Sequence, residues 1–198
     1  MSEVAVDVEA LSRLLLGRWA EIRQFTRQLV ADPRFQRDDS LDMQEHRARV
    51  LEQIRLMVEA GGGLRAFPAR FGGGDDPGGN VASYEDLVLA DPSLQIKAGV
   101  QFGLFGSAVL HLGSKEHHDR WLPGITKLEI LGAFAMTETG HGSDVANIAT
   151  TATYDPATEE FVIHTPFRAA WKDYLGNAAL HGQAAVVFAH LITLGVDH

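Results

Sequence analysis

Apolar residues recur at helical spacing through the first part of the chain. Val8, Leu11, Leu15, Ile22, Phe25 and Leu29 fall on one face, which predicts a helix over residues 7–31 with that face toward a core. Asp32-Pro33 ends it, because proline disfavours helix in the residue before it. A second helix is predicted from a Ser40 cap, with Met43, Val50, Leu51, Ile54 and Met57 facing inward and Gly61 just past its end. Residues 61–80 lose the periodicity. Two glycine-rich runs there bracket Leu64, Phe67 and Phe71, which reads as a loop crossing the helical layer. A phosphate-binding loop is not made, since no Gly-Lys-Ser/Thr follows. Asn80 or Ser83 starts a short helix through Leu89, and Asp91 is then an N-cap with Pro92 at the first helical position. Residues 93–112 are apolar nearly all round and contain Gly99, Gly103 and Gly106. Glycines cost about 1 kcal/mol each inside a helix, so here they point to close packing or to room for something bound. Gly113 ends this helix, and Ser114 caps a short one reaching Trp121 before Pro123.

After Leu131 the period shortens. Ile130–Met136 is a strand-like apolar run, and 149–154 and 160–164 are β-rich runs joined by the turn sequence Asp155-Pro156-Ala157-Thr158. Ala184–Ala189 reads as a buried strand. Roughly the first two thirds is therefore helical and the rest sheet, an α+β arrangement. The chain stops at Gly195-Val196-Asp197-His198 with no closing element. A sheet cut there leaves an unpaired edge, so the expectation is a truncated product or a fragment.

Composition narrows the class of molecule. Hydrophobic residues make up 45% and charged ones 22%, a globular profile. A net charge of −9 argues against nucleic acid as the partner, because phosphate binding needs clustered Lys and Arg. With no cysteine, disulfides, thiolate metal sites and thiol nucleophiles are excluded. No basic start leads into an apolar core at the N-terminus, so no secretory signal is read. Gln95, Lys97, Gln101 and His111 interrupt the apolar stretch Leu94–Leu112, which favours a buried helix over a membrane span. Around His111, His117 and His118 no carboxylate or fourth ligand stands out at a regular metal-ligand spacing, so no metal site is assigned.

The candidate chemistry lies in Phe134–Val145. An apolar strand breaks there into Thr137, Glu138, Thr139, Gly140, His141, Gly142, Ser143 and Asp144. Hydroxyls and freed N–H groups at a strand end suit a flat polar cofactor or an anionic group. The same residues also read as a strand running into a polar loop with a cap-like Ser143, and spacing alone leaves both open.

The run from Ala135 to Val145 resembles the flavin-site signature of acyl-CoA dehydrogenases and acyl-CoA oxidases. Thr150–Pro166 is closer to the oxidase branch, since dehydrogenases usually have a shorter hairpin there. His111-Leu112-Gly113-Ser114-Lys115-Glu116-His117 and Trp121-Leu122-Pro123-Gly124 match the family as well. The resemblance implies an N-terminal all-α helical domain, residues 1–130, followed by an incomplete β-barrel-like middle domain of the acyl-CoA dehydrogenase fold, residues 131–198. The family's C-terminal helical domain is absent from this reading. It implies FAD, with Thr137 contacting the flavin from the strand end, Met136 beside it, Gly176 at a second contact and Ser143 lining the site near the acyl-CoA. The implied activity is oxidation of acyl-CoA to trans-2-enoyl-CoA with oxygen as acceptor, in fatty-acid β-oxidation. The alternatives are a dehydrogenase using an electron-transfer flavoprotein, or a non-catalytic truncated remnant. The family's catalytic base is a Glu on the C-terminal helices, so no catalytic residue is assigned within this chain. The resemblance further implies a homodimer at full length, in the cytoplasm of a bacterium or the peroxisome of a eukaryote. One departure stands out at residues 170–177. Lys172 and Gly176 fit the oxidase pattern, but Tyr174 stands for Trp and Asn177 for Gly.

Overall fold

A computed structural model describes residues 6–198. The chain divides into two compact units, residues 1–102 and 103–198. The first is helical. Helix α1 (Val8–Leu16) is capped by Asp7, whose side chain accepts from the Ala10 N–H. It stops at Gly17, whose φ of +68° is a conformation that costs L side chains energy. A 3₁₀ turn at Gly17–Trp19 leads into α2 (Ala20–Val30). The predicted single helix over 7–31 is thus two, broken where glycine permits the turn. None of the residues of α1 is buried, so Val8, Leu11 and Leu15 do not face a core.

Helix α3 (Met43–Glu59) begins two residues later than a Ser40 cap predicts. Asp42 is the cap. Its carboxylate accepts from the Gln44 and Glu45 N–H groups while the Glu45 side chain takes the Asp42 N–H, a reciprocal capping box. Val50, Leu51, Ile54 and Met57 are buried as the pattern requires, whereas Met43 is exposed. Gln53 is buried among them and donates to the Arg34 and Phe35 carbonyls.

The glycine-rich segment is a loop only as far as Asp76. Helix α4 (Pro77–Asp86) starts there, with the Asp76 carboxylate accepting from the Gly79 N–H and Pro77 at the first position. Asp86 closes α4 onto α2 through Arg27, at 3.2 Å. Helix α5 (Pro92–Ala98) has the Asp91 cap and leading proline expected of it. The predicted continuous helix then widens into a π-helical stretch, Gly99–Gly106, before α6 (Ser107–Leu112). Gly99 is a close-packing position, since a Cβ there would lie 2.7 Å from the Tyr84 hydroxyl; at Gly103 the space is open. No helix among the described residues is long and apolar enough to cross a membrane.

In the second unit α7 (Lys115–Thr126) runs past Pro123 rather than stopping before it, capped by Ser114 and His117. Six strands follow: β1 (Gly132–Ala135), β2 (Thr151–Asp155), β3 (Glu160–His164), β4 (Ala184–Val187), β5 (His190–Thr193) and β6 (Val196–Asp197). β1 and β4 pair in parallel, Gly132 opposite Ala184. A second sheet runs β3-β2-β5-β6, with β2 antiparallel to β3 and parallel to β5. Neither sheet closes into a barrel, in keeping with a partial middle domain. The apolar run from Ala184 is not a buried strand, because Ala185 and Val187 are exposed and Ala184, Val186, Phe188 and Ala189 are only half-buried. It leaves the first sheet after Val187 and enters the second at His190.

Candidate functional site

The strand-end turn is built outward from β1. Ala133 and Ala135 point into the core, and Phe134 lies against Phe188 with ring centroids 4.8 Å apart. Small residues are needed at this start: a Cβ on Gly132 would lie 2.0 Å from the Phe105 ring. Beyond Met136 the chain pairs with a second segment. The Asp173 N–H donates to the Thr137 carbonyl at 3.1 Å, the Thr139 N–H to the Trp171 carbonyl at 2.9 Å, and the Gly140 N–H to the Ala169 carbonyl at 2.8 Å. Glu138 and His141 exchange N–H and carbonyl groups at 3.1 Å each, closing a tight turn.

One carboxylate pins this turn from beneath. The Glu138 side chain is fully buried. It accepts from the Ala149 N–H at 2.8 Å, the Thr150 N–H at 2.9 Å and the Thr150 hydroxyl at 2.6 Å. The Lys172 ammonium completes the set at 3.1 Å and also donates to the Met136 carbonyl at 2.9 Å. Burial alone would push the Glu138 carboxyl up. The donors from Ala149, Thr150 and Lys172 outweigh it and hold the pKa down to about 2. Such a group stays ionised at neutral pH. Buried and held at so low a pKa, it lacks the basicity that a proton-abstracting base needs.

The residues expected from the sequence to meet a cofactor fall as follows. Met136 and Thr137 are half-buried at the end of β1. Among the described residues no hydrogen bond takes up the Thr137 N–H or hydroxyl. Ser143 is exposed in the loop after the turn, and at neighbouring Gly142 the space is open. Asp144, rather than Ser143, holds the following 3₁₀ turn, accepting from the Asn147 side chain at 2.7 Å. Gly176 is exposed between Tyr174 and Asn177, both of positive φ. Asn177 departs from the oxidase pattern, yet its side chain is engaged locally. Its Nδ2 donates to the Gly132 carbonyl at 2.9 Å, tying the Gly176 segment to the base of β1. Its Oδ1 is buried without a partner among the described residues. Trp171 and Tyr174 are largely exposed, so they are not packing residues of the sheets. No group of three or more metal-binding side chains occurs among the described residues.

The support beneath the turn is not legible in the sequence. Nothing in the pattern singles out Thr150 or gives Lys172 a role, and Glu138 reads there only as a motif carboxylate. Local patterning cannot show that these three meet, since the contact depends on how the segments around 150 and 172 return to the strand end.

Residues 19–129 match the family described as acyl-CoA dehydrogenase, N-terminal domain, and the chain belongs to that family. The matched range ends before the strand-end turn, but relatives extend the likeness through it. Acyl-coenzyme A oxidase 2, peroxisomal, of Arabidopsis thaliana is 42% identical over 189 residues, 94% of this chain and 27% of its own length. An oxidase structure from Yarrowia lipolytica, acyl-CoA oxidase3, covers 98% of this chain with a TM-score of 0.81 at 29% identity, using 28% of its own chain. The tomato acyl-CoA oxidase structure gives 0.75 at 30% identity over 97% of this chain and 28% of its own. The chain therefore spans little more than a quarter of the length of these relatives.

Proposed function

We propose that this chain supplies the helical layer and half of the flavin site of an acyl-CoA oxidase, which oxidises acyl-CoA to trans-2-enoyl-CoA with FAD and passes the electrons to oxygen. The observation that carries the reading is the strand-end turn, held by Glu138 while no hydrogen bond among the described residues takes up the Thr137 N–H or hydroxyl. Paired donors fixed at a strand end, beside a half-buried methionine and an open glycine, fit the polar edge and flat face of a flavin ring. FAD, when bound, supplies the electron sink for the hydride leaving the substrate. Met136 and Thr137 would hold the ring from the end of β1, Gly176 would approach it from the second segment, and Ser143 would line the opening toward the acyl-CoA. Fixed N–H and O–H donors stabilise charge as it develops, without reorganising at the moment of reaction. Glu138 does not serve as the base in this scheme. That role falls to a carboxylate outside the chain, as the family resemblance implies.

The hairpin of β2 and β3 supports the oxidase branch. It pairs in register from Thr151–His164 to Asp155–Glu160, with Asp155 bracing the turn by accepting from the Ala157 N–H at 2.9 Å. The dehydrogenase reading has its own support, since a Mycobacterium smegmatis glutaryl-CoA dehydrogenase structure matches 88% of this chain at a TM-score of 0.67. Peroxide release against dye reduction, measured on the whole protein with an acyl-CoA substrate, separates the two. The oxidase reading expects peroxide in step with enoyl-CoA formation, and dye-dependent turnover without peroxide would overturn it.

A further inference from the structure

The buried pair of Glu138 and Lys172 does more than fill space beneath the turn. Lys172 Nζ sits 2.9 Å from the carbonyl oxygen of Met136 and 3.1 Å from Glu138 Oε1. The Met136 carbonyl and the Thr137 N–H belong to one peptide unit, and no peptide bond among the described residues is cis. In a planar trans peptide the carbonyl and the N–H point in opposite directions. A cation on the oxygen therefore draws electron density away from the N–H and makes it a stronger donor, because linked hydrogen bonds polarise one another at low dielectric. Glu138 keeps the ammonium there, and its own position is fixed by the Ala149 and Thr150 donors. A chain of contacts thus runs from the start of β2, through Glu138 and Lys172, to the peptide that presents Thr137.

We propose that Lys172, held in place by Glu138, is a positioning residue that polarises the Met136–Thr137 peptide and strengthens the Thr137 N–H as a donor to the flavin ring, favouring its reduced, negatively charged form. The inference rests on the flavin reading above. Glu138 acts through Lys172, and neither side chain needs to touch the substrate.

The test compares the parent chain with Lys172→Met, with Lys172→Met combined with Glu138→Gln, and with Thr139→Val as a neighbouring control. The single Lys172 variant leaves a buried carboxylate unpaired and is expected to loosen the turn. The double variant removes both charges, which a protein tolerates far better than losing one. Amide hydrogen exchange at Thr139 and Gly140 is expected to rise at least tenfold in Lys172→Met and to return close to the parent in the double variant. With FAD bound, the double variant is expected to be harder to reduce by at least a factor of ten in the equilibrium constant, about 30 mV for a two-electron couple, while Thr139→Val matches the parent. In the flavin-free chain the Met136 carbonyl carbon resonance is expected to move upfield in the double variant, with the resonances of the remote hairpin turn, residues 155–160, unchanged. A double variant with protected amides, an unmoved Met136 resonance and the parent's flavin potential would overturn the proposal and leave the pair a structural brace. If the parent takes up no FAD, the flavin reading fails on its own. The carbonyl resonance then decides whether Lys172 polarises the peptide.

Discussion

Glu138 concentrates the energetics of the site in one side chain. Its carboxyl is held at about 2, against an ordinary value of 4.5, by donors that exist only in the folded chain. Because the folded value lies below the unfolded one, its contribution is complete above about pH 4.5 and is lost as pH falls toward 2. A shift of that size corresponds to roughly 3 kcal/mol. Glu138→Gln should therefore melt well below the parent at pH 7, and the gap should close progressively between pH 4.5 and 2, read by thermal unfolding across that range. A second residue-scale outcome concerns Gly132. A Cβ there meets the Phe105 ring at 2.0 Å, so Gly132→Ala is expected to cost about 1–3 kcal/mol, the range for overpacked cores. Denaturant titration of the variant checks it. The identity of the motif residues is legible in the sequence. The reason for the glutamate among them is not, since nothing local marks Thr150 and Lys172 as its partners.

At the level of elements, legibility follows how local the deciding interaction is. Asp91-Pro92 reads correctly because cap and proline act on the adjacent turn. Strand β3 reads correctly because it follows a turn sequence whose aspartate braces it. The errors have equally specific causes. Ser40 loses the cap of α3 to Asp42, which alone has a glutamate three residues on to complete the box. Asp42→Ala is accordingly expected to cost about 1 kcal/mol, against a few tenths for Ser40→Ala, by urea unfolding. Pro123 fails to stop α7, and Gly78-Gly79 fail to keep α4 from starting. Breaker residues set a cost, which packing around Leu122 and Ile125 or a cap from Asp76 can offset. The glycines of residues 93–112 are conspicuous in the sequence, but nothing in their spacing says that the helix widens to a π form.

For the molecule as a whole, the α+β class is readable from the change of period after Leu131, and the two open sheets accord with it. What the pattern could not supply is the crossing between sheets. The apolar stretch from Ala184 serves two, β4 beside β1 and β5 beside β2, and a hydrophobic run broken only by His190 hides the switch. The same crossing places β4 against the strand that ends in the Thr137 turn, so fold and candidate site share one piece of topology. If this turn is half of a flavin site, the chain binds FAD at equilibrium through it. Titrating the chain with FAD and following flavin fluorescence, with adenosine monophosphate as the control ligand, should reveal saturable quenching. The signal should weaken at least tenfold in Thr137→Val combined with Gly142→Val and stay at the parent level in Thr139→Val. Saturable FAD binding that is indifferent to Thr137 and Gly142, or no binding by a chain whose amides at Thr139 and Gly140 are protected, would contradict it.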